Sequence, residues 1–347
     1  MHGGDIYRNN IQFDFSVNLN PLGVPTEVQW VLTEAGLHAN KYPDIYHERL
    51  VMETARLLEV DYQNIVYGNG ASELIMAICH MIAPKRALLL SPCFSGYETA
   101  IKGASPDCML AYYTLSEEND FELRHSFLEY IIVEKPDVLF ITNPNNPNGK
   151  LIDSLLLSDI IETCEKTGTT LVVDECFLPL TGKDKELSVI RNIESHKSVI
   201  VVRAFTKSYA IPGVRIGYAV CSRKTIADEL KKHLPEWNLS IFAQMAGAEC
   251  IKHPEYLEEA VKVVEDERRY LVQELKKLGV TVFGSDANFI LFKCNIFDLN
   301  AKLLEYRILV RDCSDFNGLG KGFYRICVKQ HNENEGLMDA LKDVMAK

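Results

Sequence analysis

Lys207 closes the run Val201-Val202-Arg203-Ala204-Phe205-Thr206-Lys207, and Arg215 follows between Gly213 and Gly217. A lysine at the end of an apolar strand is costly to bury unless it has a task. One suitable task is a Schiff base with a carbonyl cofactor, because a partly desolvated amine gives up its proton more readily. The planar fork of donors on Arg215 suits an anion, most simply a phosphate. Asp174 ends a second apolar run, Thr170-Leu171-Val172-Val173, and a buried acid there also needs a partner. Gly68-Asn69-Gly70-Ala71-Ser72-Glu73 is a glycine-rich turn opening a helix. Free amides and the helix dipole make such a turn an anion site.

These segments together supply what one cofactor, pyridoxal phosphate, requires. Its aldehyde needs a lysine, Lys207. Its pyridine nitrogen needs a carboxylate to stay protonated and act as an electron sink, and Asp174 fits. Its ring hydroxyl needs a neutral donor, which Asn146 in Pro144-Asn145-Asn146-Pro147-Asn148-Gly149 could be. Its phosphate needs the turn at Gly70 and the charge of Arg215. Each element also has an ordinary reading. Lys207 could be a solvated strand end, Asp174 a helix N-cap, and the two glycine- and asparagine-rich stretches plain turns. Phe94 could be core or could stack on a cofactor ring. The order of these segments along the chain is what makes the ordinary readings jointly improbable.

The elements that must position them follow from periodicity. Strands are expected at Asn64–Tyr67, Ala87–Ser91, Val138–Thr142, Thr170–Asp174 and Ser198–Phe205, with helices such as Ala71–Ile82 and Ser154–Thr167 between them. This alternation predicts an α/β fold with a mostly parallel central sheet and helices on both faces. The chemical residues then fall in loops at the carboxyl ends of strands, where ligands bind in such sheets. After about Leu234 the pattern changes to a long charged helix, roughly His253–Leu278, then short strands at Thr281–Phe283, Phe289–Lys293 and Phe323–Val328, and a terminal helix from Glu333. The expected organisation is an irregular N-terminal arm over 1–35, a large domain over 36–235 and a smaller α+β domain over 236–347. The arm is expected to pack on the small domain and on a partner subunit.

Bulk properties narrow the class. The chain has 347 residues, enough for a sizeable core, with 47% hydrophobic and 24% charged residues. A net charge of −11 argues against broad binding to nucleic acid or anionic membrane but permits a local basic pocket. The ten cysteines include no CxxC pair, so a zinc site or thioredoxin motif is not expected, nor any metal. Free thiols fit a reducing compartment, and the expected location is the cytoplasm. The N-terminus shows no secretory signal, and no apolar run is long enough to span a membrane.

With these residues in view, the chain resembles the fold-type I pyridoxal-phosphate enzymes, nearly end to end from His2 to Leu341. It is most similar to the branch holding histidinol-phosphate aminotransferase and the threonine-phosphate decarboxylase of cobalamin biosynthesis, and within it to the decarboxylases. The resemblance is carried by His2-Gly3-Gly4-Asp5-Ile6-Tyr7, by Asp14 through Gly23, and by Tyr42-Pro43-Asp44. It continues in Asp174-Glu175-Cys176-Phe177, Thr206 through Gly213, Arg307 through Arg311, and Tyr324-Arg325-Ile326.

The resemblance implies a role for each matching residue. Lys207 carries the cofactor, Asp174 pairs with its ring nitrogen, Asn146 holds the ring hydroxyl and Phe94 stacks on the ring. Ala71, Ser72 and Arg215 bind the cofactor phosphate, with Thr206 nearby. Tyr42 reaches the cofactor phosphate of a neighbouring subunit, implying a homodimer. Arg325 grips the substrate carboxylate or phosphate, with Arg311 as a second anion holder. The amides of His2, Gly3 and Gly4 cradle a substrate phosphate, and Asn18 completes the substrate side. Three departures matter. Ala204 stands where a hydroxyl residue usually donates to the phosphate, a loss of about 1 kcal/mol. Asn148 replaces a threonine in its turn, which is expected to be a harmless turn substitution. Phe177 replaces the tyrosine of many aminotransferases, as it does in the decarboxylases. The expected reaction is therefore decarboxylation of an O-phospho amino acid, most simply L-threonine O-3-phosphate. Transamination of histidinol-phosphate type is the alternative. Cys176 is expected to point away from the site as a small packing residue.

Overall fold

The structure is a computed structural model and describes residues 3–346. Its centre is a seven-stranded sheet in the order Ile65–Gly68, Gly217–Cys221, Val199–Ala204, Thr170–Asp174, Val138–Thr142, Arg86–Ser91 and Met109–Thr114. Gly217–Cys221 runs antiparallel to both of its neighbours, and the other pairings are parallel. Six strands therefore end, and the seventh begins, along one edge of the sheet.

The strands are continuous apolar runs because both faces are covered. Successive residues alternate between two apolar clusters. Leu139, Ile141, Leu171, Val173, Val199 and Val201 face one cluster, packed under the helices Ser126–Glu134 and Ser154–Thr167. Val138, Phe140, Val172, Ile200 and Val202 face the other, under Ala71–Ile82 and Gly96–Ala104. Local signals set the helix ends. Asp153 caps Ser154–Thr167 by accepting from the amides of Leu155 and Leu156 at 3.0 and 3.2 Å, and Gly168 ends it with φ of 75°.

A second, antiparallel sheet joins Arg311–Asp312, Phe323–Cys327, Phe289–Lys293 and Thr281–Val282. The long helix Pro254–Lys277 and the terminal helix His331–Ala346 cover it through Leu271, Leu275, Leu337 and Leu341. Phe13–Asp14 pairs in parallel with Ile308–Leu309 as a separate two-stranded sheet, and the Cys327 amide donates to the Phe15 carbonyl at 2.9 Å, which ties the N-terminal segment to the four-stranded sheet. Among the described residues, no helix is long and apolar enough to cross a membrane.

Some elements depart from expectation. The N-terminal stretch is not irregular throughout, since Thr26–Ala35 is a helix. It begins after Pro25, whose ring suits a helix start. The terminal helix starts at His331, two residues before Glu333. Two strands of the large sheet, Met109–Thr114 and Gly217–Cys221, were not expected. The first is a half-exposed edge strand without clean alternation, and the second opens on a glycine.

Candidate active site

The carboxyl edge of the large sheet is concave, and a cavity of about 260 Å³ opens there. Its lining includes Gly3, Asn18, Ala71, Ser72, Phe94, Asn146, Asp174, Thr206, Lys207, Arg215, Arg311 and Arg325. These come from segments far apart in sequence, brought together because their strands end side by side. The second sheet contributes Arg311 and Arg325 from facing positions of paired strands.

Lys207 lies in the single helical turn Phe205–Ser208, which starts as soon as the strand Val199–Ala204 ends. Its carbonyl accepts from the Asn20 amide at 3.0 Å, and the Asn20 side chain donates to the carbonyl of Ser208 at 2.8 Å. The N-terminal segment thus clamps the lysine turn, a role that sequence reading did not assign to Asn20. Burial pulls the Lys207 amine down from 10.5 to about 8, and the Arg325 and Arg215 charges push the same way. Between about pH 8 and the ordinary value the unfolded chain binds more protons than the folded one, so stability rises with pH in that window. Denaturant unfolding of cofactor-free wild type and Lys207→Met across that window should show the wild type gaining relative to the variant. Parallel curves would mean that Lys207 is not desolvated.

Arg215 has a left-handed φ of 61° and precedes the antiparallel strand, which returns its side chain to the helix Ala71–Ile82. A Cβ on Gly70 would come within 2.7 Å of its guanidinium, and Gly70 itself has φ of 81°. A glycine is therefore required for the arginine to lie over the first turn of that helix, beside Ala71 and Ser72. Free amides, dipole and guanidinium converge there as a phosphate needs.

Asp174 is buried at the cavity floor, its Oδ1 accepting from the Cys176 amide at 3.0 Å and its Oδ2 from the Tyr97 hydroxyl at 2.7 Å. Phe94 can fold over the cavity because Gly96 has no Cβ, which would lie 2.2 Å from the Phe94 ring. The loop after Thr142 spends its asparagines differently. Asn143 accepts from Ile152, Asn145 donates to the Pro92 carbonyl, and Asn148 donates to the Phe121 carbonyl at 2.9 Å. Asn148 is thus a buried anchor rather than a neutral turn residue. Asn146 alone faces the cavity, and its Oδ1 accepts from Arg325 Nη1 at 2.5 Å. Because arginine can only donate, the Asn146 amide NH₂ is turned away from Arg325 and left to serve another oxygen.

Arg325 is buried, and its Nη2 donates to the Ser16 carbonyl at 2.9 Å. Its guanidinium lies 5.5 Å from the centre of the Phe289 ring, which packs edge-on against Phe177 at 5.0 Å. Phe177 in turn lies 5.8 Å from Lys207 Nζ. Arg311 is engaged by its own loop: Nη1 donates to the Asp312 carbonyl at 2.6 Å and Nη2 to the Asp315 carboxylate at 2.8 and 3.0 Å. Two buried polar atoms on this side, Asn18 Oδ1 and Arg325 Nε, have no hydrogen-bond partner among the described residues. A lysine of lowered proton affinity, a carboxylate floor, an oriented amide and an anion cradle fit pyridoxal phosphate. The unpartnered atoms leave polar capacity for a substrate.

Not every expected residue is gathered here. The Gly4 amide donates to Ser16 Oγ at 2.8 Å, so it is already spent within the chain. His2 lies outside the described residues. Tyr42 does not line the cavity, but stands exposed against Trp237 with ring centres 5.0 Å apart. Cys176 does line the cavity, contrary to expectation, because the chain turns immediately after Asp174 instead of continuing as strand. Sequence reading also passed over Tyr97, Thr142 and Ser16. The only available signal was the spacing of Tyr97, one helical turn after Phe94.

Residues 10–341 match the family described as aminotransferase class I and II. The chain is 31% identical to the threonine-phosphate decarboxylase of Salmonella typhimurium, over 96% of this chain and 91% of that protein. It is 33% identical to a histidinol-phosphate aminotransferase of Caldanaerobacter subterraneus, over 97% of this chain and 95% of that protein. The crystal structure of histidinol-phosphate aminotransferase from Clostridium acetobutylicum superposes with a TM-score of 0.89 at 32% identity, covering 96% and 99% of the two chains.

Proposed function

The chain belongs to the class I and II aminotransferase family, whose members work with pyridoxal phosphate, and from that premise we propose that it decarboxylates an O-phospho amino acid, most simply L-threonine O-3-phosphate. The observation that carries the reading is Phe177. The side of the cavity beside Lys207 is walled by the Phe177 ring, with Phe289 packed behind it, and offers no hydroxyl from that position. A carboxylate that must leave as neutral carbon dioxide is favoured by an apolar wall, whereas a tyrosine there would offer a polar partner.

When bound, the cofactor supplies a carbonyl carbon for the substrate amine and a protonated ring that accepts the electron pair released at Cα. The protein's residues do the rest. Lys207 would hold the cofactor through its amine, give that place up to the substrate amine, and return a proton to Cα. Asp174 keeps the ring nitrogen protonated. The Asn146 amide NH₂ would donate to the ring oxygen, in the orientation that Arg325 imposes on it. Phe94 covers one face of the ring, and Ala71, Ser72, Thr206 and Arg215 hold the phosphate, without the hydroxyl that Ala204 lacks. Arg325, assisted by Arg311, Asn18 and the Gly3 amide, anchors the substrate's anionic group and so fixes which Cα bond stands perpendicular to the ring. Tyr42, exposed and not part of its own cavity lining, would reach the site of a second copy in a homodimer. Such a reaction would serve cobalamin biosynthesis.

The similarity to histidinol-phosphate aminotransferases favours a second reading, in which Lys207 moves the Cα proton and a keto compound is released. One incubation separates them. With L-threonine O-3-phosphate, carbon dioxide and an amine should appear in equal amounts with no need for a keto-acid acceptor. Keto product only in the presence of 2-oxoglutarate, without gas, would establish transamination instead. L-serine O-phosphate should react more slowly, since one methyl in a pocket is worth about 1–3 kcal/mol.

A further inference from the structure

Tyr97 carries a buried hydroxyl inside the cavity wall to which the reaction above gives no task. We propose that Tyr97 is a positioning residue that holds Asp174 against the cofactor's ring nitrogen, as the middle member of a relay Thr142–Tyr97–Asp174. The inference rests on the assignment of Asp174 to that nitrogen.

The hydroxyl lies 2.7 Å from Asp174 Oδ2 and 2.7 Å from Thr142 Oγ1. A phenol has one proton, and a carboxylate only accepts. Tyr97 therefore donates to Asp174, and its remaining contact must be received from the Thr142 hydroxyl. Burial pushes the Tyr97 phenol well above its ordinary range, so the donor proton is kept. The other carboxylate oxygen is held by the Cys176 amide at 3.0 Å. With one donor on each oxygen, the carboxylate plane is fixed. A chain of donors pointing the same way also polarises each link.

The ring of the same residue supports the opposite requirement. It stacks on Phe140 at 5.1 Å and 18°, and meets Phe94 edge-on at 5.5 Å and 88°. Tyr97 thus touches both the acid expected at the edge of the cofactor ring and the aromatic expected over its face. A phenylalanine would pack the same space, so packing alone gives no reason for the hydroxyl.

The test uses holoenzyme variants. Tyr97→Phe keeps the ring contacts and should leave the thermal midpoint of the cofactor-free protein nearly unchanged. It should lower kcat by about tenfold to hundredfold, the equivalent of one hydrogen bond to a charged group, with KM moving far less. It should also weaken cofactor binding and shift the pH titration of the bound cofactor's absorbance. Thr142→Val should move the same titration in the same direction but less, and should add nothing once Tyr97→Phe is present. A normal kcat and an unmoved titration in Tyr97→Phe would overturn the proposal, and additive effects of the two substitutions would overturn the relay. If Tyr97→Phe does not fold, Thr142→Val carries the test alone, and an unmoved titration in it overturns the relay. Asp174→Asn separates the premise from the inference. If it too leaves turnover and titration intact, the assignment of Asp174 has failed; if it abolishes them while Tyr97→Phe does not, only the inference has.

Discussion

Lys207→Ala is expected to abolish turnover and to remove the covalent link between the protein and pyridoxal phosphate. The loss in kcat should reach at least about 10³-fold, because the variant lacks both the nucleophile and the group that handles the proton at Cα. The absorbance of the covalently bound cofactor near the visible edge should vanish as well, although the Arg215 and Gly70 cradle remains to hold free cofactor. The case rests on environment as much as on residue type. Lys207 stands at the head of the sheet with its amine drawn down to about 8, by burial first and then by the charges of Arg325 and Arg215. At neutral pH that amine is only about an order of magnitude from its reactive form, against more than three for an ordinary lysine. The measurement is twofold: spectra of the purified variant with added cofactor, and carbon dioxide release from L-threonine O-3-phosphate. A variant that keeps the covalent spectrum would move the attachment point to another lysine. One that loses the spectrum but keeps turnover would remove covalent catalysis from the scheme.

The alternating apolar runs and the long charged helix announced most of the architecture, because periodicity reports burial directly. Val138–Thr142 and Thr170–Asp174 have the ends expected of them. Gly217–Cys221 escaped because its direction depends on the sharp return at Arg215, a tertiary constraint that leaves no periodic trace. The site residues that could be read were those whose chemistry is conspicuous in an apolar setting: a lysine, an aspartate, an arginine beside glycines. Tyr97, Thr142, Asn20 and Ser16 were not, since a hydroxyl or an amide inside an element looks like any packing residue until its partner is known. Ser16 holds Arg325 through its carbonyl and Gly4 through its hydroxyl, contacts that no motif reports. The reverse error concerns Gly4. Free amides were expected of it, but the structure spends its amide on Ser16.

Arg325→Ala should be the second most damaging change, lowering kcat/KM by about 10²–10³-fold, the usual cost of removing the buried cation that pairs with a bound anion. The argument runs through two contacts. Nη1 holds Asn146 Oδ1 and Nη2 holds the Ser16 carbonyl, so the guanidinium has one orientation and its remaining donors face the cavity. Its loss removes the substrate's anionic anchor and also frees the Asn146 amide to rotate, which would turn an acceptor toward the ring oxygen instead of a donor. Two consequences can be read separately. KM for the phosphorylated substrate should rise steeply, because Arg311, the other buried arginine lining the cavity among the described residues, is already engaged by Asp312 and Asp315. The products should also change, since an unanchored substrate no longer presents one Cα bond perpendicular to the ring, and a measurable share of keto product should appear beside the amine. Arg325→Lys restores charge without the fork and should recover part of KM but not the product ratio. If Arg325→Ala left the product ratio fixed while KM rose, Arg325 would bind the substrate without choosing the bond, and that choice would pass to Phe177 and the apolar wall beside Lys207.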